Sequence, residues 1–142
     1  MQKVIIDTNV LVSSLIQKSY PHYIVRGLFL SNKFKLCISE SLFWEYEDVL
    51  HRRKFAKYLN FYKGADFLLK YIKENSDFFS PTIRINMLED EDDNILLELA
   101  DESKANFLIT GNANDFVISK YKETLIISPV DYWENFKPNS EF

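Results

Sequence analysis

Acidic side chains sit at the points where this chain turns from one apolar run into the next. Asp7 ends Lys3-Val4-Ile5-Ile6-Asp7, and Asp115 follows soon after Phe107-Leu108-Ile109-Thr110. Glu89-Asp90-Glu91-Asp92-Asp93 leads straight into Asn94-Ile95-Leu96-Leu97-Glu98-Leu99-Ala100. Asp and Asn are good helix N-caps, and acids suit the positive end of a helix dipole, so one or two carboxylates there would need no further role. Asp90, Glu91, Asp92 and Asp93 together exceed what capping requires. Crowded carboxylates repel one another, and a cation relieves the repulsion. With one cysteine, Cys37, and two histidines, His22 and His51, a Cys/His zinc site is excluded. Any ion would be held by oxygen, which points to Mg²⁺ or Mn²⁺. Such a site can activate water for an in-line displacement at phosphorus.

These acids need rigid elements to position them. Residues 3–6 read as a buried strand feeding a first helix, 10–16. Pro21 opens a second helix running to Phe29 or Leu30, since proline fits a first helical position. Lys35-Leu36-Cys37-Ile38 is a second strand, and Ser39 caps a third helix from Glu40 to about Arg52 with Leu42, Phe43, Tyr46, Val49 and Leu50 inward. Glu45 and Glu47 lie at opposite margins of that stripe, and position alone does not choose between them. A helix over 65–75 should turn Phe67, Leu68, Tyr71 and Ile72 inward. Residues 78–85 lead through Pro81 and a short strand to the acidic run. In its helix, Ile95, Leu96, Leu99 and Ala100 recur at the spacing of one buried face. Residues 105–110 and 124–127 read as further strands, and Pro129 starts a last helix that packs through Tyr132, Trp133 and Phe136. Alternating strands and helices imply an α/β fold, a three-layer α/β/α sandwich around a mainly parallel sheet. Ligands in such sheets bind beyond the carboxyl ends of the strands, where Asp7 and Asp115 fall.

The 142 residues, 46% of them apolar, suggest a single domain over 1–137 with 138–142 as a frayed tail. A lone cysteine allows no intrachain disulfide and fits a reducing cytoplasm. No secretory leader or membrane-length apolar run is read. A net charge of −4 counts mildly against nucleic acid as a partner but leaves room for a local basic patch. His51-Arg52-Arg53-Lys54 is such a cluster, with Lys57 beyond it and Phe55, Tyr58, Phe61 and Tyr62 interleaved. Basic groups contact phosphates and aromatic faces stack bases, although a solvated helix end would look the same. No phosphate-cradling glycine loop occurs. Neither histidine sits where a Ser/His/Asp hydrolase would need it.

Taken in order, Val4-Ile5-Ile6-Asp7-Thr8-Asn9-Val10-Leu11-Val12, then Ser39-Glu40-Ser41-Leu42-Phe43-Trp44-Glu45-Tyr46-Glu47-Asp48-Val49-Leu50, Arg52-Arg53-Lys54-Phe55, Asp90-Glu91-Asp92-Asp93-Asn94 and Phe107-Leu108-Ile109-Thr110-Gly111-Asn112 resemble a PIN domain. They are closer still to the PIN proteins known as toxin components of bacterial toxin–antitoxin systems. The resemblance implies a metal-dependent ribonuclease of the VapC kind, with three or four acids holding one or two Mg²⁺ or Mn²⁺ ions. Matched motif by motif, it implies Asp7, Glu45 and Asp93 as catalytic metal ligands. Asn9, Asp90, Asp92 and Thr110 are then supporting residues, and Arg52, Arg53 and Lys54 a track for the RNA backbone. Many PIN domains carry an Asp directly after the Thr-Gly pair, where this chain has Asn112. Asp115 is the residue to supply the fourth carboxylate, ahead of Asn112. The resemblance also implies a homodimer, a cognate antitoxin, RNA as partner and a cytoplasmic setting. Two rivals remain. A metal- or RNA-binding module without useful turnover is separated from the enzyme by metal-dependent cleavage. A DNA-directed nuclease of related fold would need a helical arch for which this compact chain has little room.

Overall fold

A computed structural model of the protein describes residues 1–138; residues 139–142 and the side chain of Asp115 lie outside the described set. Its centre is β1 (Lys3–Ile6), in which Val4, Ile5 and Ile6 are completely buried. A strand covered on both faces reads as an unbroken apolar run, which is the mark of a parallel interior strand. On one side β1 pairs with β2 (Lys35–Ser39), with Val4 opposite Leu36; β2 then pairs with β3 (Asp77–Phe79). On the other side it pairs with β4 (Phe107–Ile109), which pairs with β6 (Thr124–Ile127). All these pairings are parallel. A two-strand hairpin, β5 (Lys120–Tyr121) antiparallel to β6, closes the order β3-β2-β1-β4-β6-β5. Lys122 makes the tight turn between them at φ 49.

The helices are α1 (Thr8–Ile16), α2 (Tyr20–His22), α3 (Glu40–Leu50), α4 (Phe61–Asn75), α5 (Glu91–Ser103) and α6 (Pro129–Asn135). Helices cover the mainly parallel sheet in a three-layer α/β/α arrangement, as the alternating pattern predicts. Packing of α1, α3 and α4 on one another, and of α5 against β1, β2 and β3, brings the starts of α1 and α5 near α3. No described helix is long and apolar enough to cross a membrane.

Several expectations need correction. The second helix opens at Tyr20, with Pro21 at its second position, and after one turn widens into a π-helix, Tyr23–Phe29. Its last bond runs from Leu30 N–H to the Val25 carbonyl, five residues back. The third helix stops at Leu50, because Arg52 is extended (ψ 143) before a 3₁₀ turn, Arg53–Lys57. The fourth starts at Phe61, not at residue 65, since Phe61 stacks on Phe55 at 4.6 Å and is drawn into the core. Phased from there, Ala65, Leu68, Leu69 and Ile72 face inward and Phe67 falls on the outer face, 56% exposed. In α5, Ile95 is only half-buried, while Asn94, Leu97 and Glu98 join Leu96, Leu99 and Ala100 inside.

Candidate functional site

The chain leaves β1 first toward β2 and later returns on the opposite side as β4. The crevice beyond the carboxyl ends of β1 and β4 is thus a topological switch point, where open α/β sheets bind their ligands. Asp7 stands at the end of β1 and Thr110 at the end of β4. The Asp7 N–H bonds the Ile109 carbonyl at 2.9 Å, continuing the ladder, and the Thr110 hydroxyl donates to Asp7 Oδ2 at 2.7 Å. That hydroxyl also accepts from the Asn112 N–H at 3.1 Å. Asn9 Oδ1 accepts from the Gly111 N–H at 3.4 Å, and a Cβ on Gly111 would meet that same oxygen at 3.4 Å, so the two loops lie close together.

Glu45 reaches the crevice from α3. The buried Thr8 hydroxyl donates to its Oε2, and the neighbouring Tyr46 hydroxyl donates to the Ile6 carbonyl, fixing α3 against the end of β1. Glu47 is exposed. The third contribution is the start of α5, whose N-cap is Asp90: its Oδ1 accepts from the Asp92 N–H at 2.9 Å. The capping role weighed from the sequence therefore falls on Asp90. The approach to the helix is held by two buried polar side chains that sequence reasoning passed over. Asn94 donates to the Leu88 carbonyl at 2.8 Å and accepts from the Leu88 N–H at 2.9 Å, while Glu98 accepts from the Ile85 N–H at 2.8 Å. Polar residues at inward helix positions were the available signal.

The acids feel one another. Burial pushes the Asp7 carboxyl above its usual pKa; bonds from Thr110 and from the Thr8 backbone pull it back, and Asp92 and Asp90 push it up again. Glu45 is raised in the same way, first by burial, with Thr8 opposing, Asp92 and Asp7 adding and Arg52 lowering. Asp92, a supporting residue in the sequence reading, thus acts on both Asp7 and Glu45. It lines a hollow of about 590 Å³ with Glu45, Trp44 and Arg52. Asp93 is half-buried and lines a different hollow, of about 500 Å³, with Asp90, Asn112 and Val117. The last acid expected at the site, Asp115, has its backbone in a 3₁₀ turn (Ala113–Asp115), and its side chain lies outside the described set. Arg52 pairs with Asp48 at 3.3 Å beside Glu45; Arg53 and Lys54 are exposed on the next turn and line neither hollow. Among the described residues, no group of three His, Cys, Asp or Glu is gathered closely enough to hold an ion.

Comparison with known proteins bears on this arrangement. The sequence matches the family described as PIN domain over residues 3–114, a span holding Asp7, Glu45, the acidic run, Thr110 and Asn112 and ending one residue before Asp115. It is also similar to an uncharacterized protein of Methanocaldococcus jannaschii, 33% identical over 110 residues that cover 78% of this chain and 70% of that protein.

Proposed function

The chain belongs to the PIN domain family, whose members are generally nucleases that use divalent metals and bind nucleic acid, and from that premise we propose that it is a metal-dependent endoribonuclease acting on single-stranded RNA. The observation that carries this reading is the mutual field of Asp7, Glu45, Asp90 and Asp92 at the switch point, where burial and like charge hold two carboxyls above their ordinary pKa. Perturbed carboxyls in a crevice are what a functional site of this kind needs. The donors are all oxygen, and Arg52 is the one cation among the four groups that shift Glu45 most. That chemistry fits a hard divalent ion such as Mg²⁺ or Mn²⁺.

Asp7, Glu45 and Asp93 are the residues proposed to hold the ion, with Asp115 and Asn112 at its margin and Asp90 and Asp92 supporting. When bound, such an ion supplies Lewis acidity at the phosphate and lowers the pKa of water. The chain's own part is orientation. Thr110 holds Asp7 through Oδ2, and the Thr8 hydroxyl holds Glu45 through Oε2. Asn9 keeps the Gly111 backbone in place beside them. Arg52 is the nearest candidate to pair with a backbone phosphate, with Arg53 and Lys54 further along. Hydrolysis would leave 5′-phosphate and 3′-hydroxyl ends. The unit proposed to carry this activity is the single domain 1–137. A role as the toxin of a cytoplasmic toxin–antitoxin pair, as a homodimer bound by a cognate antitoxin, belongs to the same proposal.

The test is cleavage of an end-labelled single-stranded RNA with Mn²⁺ or Mg²⁺ against EDTA, alongside Asp7→Asn and Asp93→Asn. Metal-dependent cleavage lost in both variants is the expected result. Tight metal binding by calorimetry without cleavage would favour a binding module, and neither cleavage nor metal binding would return the acidic run to helix capping.

A further inference from the structure

We propose that the hollow between the C-terminal end of α1 and the start of α4 is a second nucleic-acid contact, one that takes a backbone phosphate away from the acidic crevice. It has a volume of about 450 Å³ and is lined by Lys18, His22, Arg26 and Lys63, with Asn60 and Phe61 at the helix start and no carboxylate among the described residues of its wall. These cations come from positions spread over 46 residues, so no basic run marks them in the sequence. None of the described carboxylates pairs with Lys18, Arg26 or Lys63; the ion pairs are made by other cations. Arg26 is half-buried with its five donors turned to no acid, and His22 is held through Nδ1, 3.2 Å from the Ser14 carbonyl. A guanidinium with no carboxylate partner among the described residues can pair with a phosphate through two parallel N–H donors.

The backbone adds to the same field. Helix α4 is 15 residues long, has no side-chain cap and has no acid in its first turn. Lys63 stands in that turn, where the dipole favours an anion and disfavours a lysine. Two independent features, the cation set and the uncompensated helix end, thus meet in one hollow on a chain of net charge −4. Asp7 lies just before the opposite end of α1, whose nine residues span about 13 Å. A strand a few nucleotides long could engage both ends.

The inference rests on nucleic-acid binding and not on cleavage, so it is tested without metal. Anisotropy of a fluorescein-labelled single-stranded RNA in EDTA would compare the wild-type chain with Arg26→Gln, Lys63→Glu, the double variant and Lys120→Gln, an exposed lysine outside the hollow. Lys63 is exposed, so its charge reversal leaves the fold intact, and melting curves check the others. The double variant is expected to bind about tenfold more weakly at low salt, with the slope of log K against log salt shallower by about 1. Lys120→Gln should keep the wild-type slope. Unchanged affinity and slope in the double variant would overturn the proposal. It would also fall if inorganic phosphate raised the melting temperature through Arg26 and Lys63 while RNA binding ignored them, or if the hollow took poly-glutamate and not RNA. Should the wild-type chain bind RNA through this hollow yet cleave none, the nuclease reading fails and this one stands.

Discussion

At the scale of single residues, Asp7 is placed at a cost. Burial and the nearby Asp92 and Asp90 raise its pKa from the ordinary value of 3.8. A raised folded-state pKa stabilises the fold fully below that ordinary value, and the contribution is lost as pH rises through the folded pKa. At neutral pH the half-buried carboxylate is therefore a net liability. Asp7→Asn removes the charge and keeps an acceptor for the Thr110 hydroxyl. In EDTA it should melt above the wild-type protein by about 2–4 °C for each kcal/mol relieved. Mn²⁺ should raise the wild-type melting temperature and leave the variant nearly unmoved, because only a state that binds the ion gains from it. Calorimetric scans with and without metal check both, and a variant that melts lower in EDTA with an intact response to Mn²⁺ would refute the argument. Asp7 was legible because an apolar strand ends in it. Glu45 was not separable from Glu47 by periodicity, since both sit at stripe margins; the Thr8 hydroxyl, at the start of α1, is what engages Glu45. Nor did the order Asp90-Glu91-Asp92-Asp93 show that Asp92 would act on Asp7 and Glu45 while Asp93 lines a separate hollow, as that depends on how α5 is rotated against α3.

Elements are tied together by a few polar contacts whose loss should be felt well beyond one side chain. Asn94 is fully buried and satisfies both backbone groups of Leu88, so it fixes the approach to the acidic end of α5. Asn94→Ala removes both bonds to the part-buried Leu88 backbone, at roughly 0.5–1.5 kcal/mol each. It should lower the urea midpoint by a matching amount and weaken Mn²⁺ affinity as well, whereas unchanged stability would mean that the segment before α5 is held from elsewhere. A second tie joins α3 to α4. His51 caps α3, with Nδ1 2.7 Å from the Glu47 carbonyl and Nε2 2.7 Å from Asp66 Oδ1. The Asp66 bond, followed by the Glu47 carbonyl, raises its pKa above the ordinary 6.5. The stabilisation is complete below pH 6.5 and is lost as pH rises through the higher folded value. The pair is largely exposed, so the effect is under about 1 kcal/mol. Urea midpoints at pH 6 and pH 8.5 should differ less in Asp66→Asn than in the wild-type protein. The strands were readable as short apolar runs, and β2, β4 and β6 fall where those runs fall. Three features were beyond reach for tertiary reasons. The two-residue β5 exists only by pairing with β6, the early start of α4 follows from Phe61 stacking on Phe55, and the π-helical widening depends on how Tyr23–Phe29 packs.

Across the whole molecule, the site depends on chain that lies outside the family match. That match ends at residue 114, but β4 is bounded on its outer side by β6, with Phe107 opposite Leu125 and Ile109 opposite Ile127. The Thr110 N–H bonds the Ile127 carbonyl at 3.0 Å, so the residue that holds the Asp7 carboxylate is itself held by a strand ten residues beyond the match. Helix α6 then seals the sheet. Tyr132 is fully buried, meets the rings of Phe34 and Phe107 edge-on, and donates to Gln2 Oε1 at 2.6 Å, while Gln2 Nε2 donates to the Phe136 carbonyl at 2.8 Å. The beginning and end of the described chain are thereby latched together. A chain cut after Asn114 would bare the edge of β4 and the apolar surface under α6, an open strand with no partner. It should show no cooperative urea transition by circular dichroism and should bind no metal. Within the full chain, Tyr132→Ala should lower stability by about 3–5 kcal/mol, as for other large-to-small core changes, and Tyr132→Phe by about 1 kcal/mol for the lost hydrogen bond. Cooperative unfolding of the 114-residue chain would show that β1 to β4 suffice alone and would remove β6 from the account of how Asp7 is held.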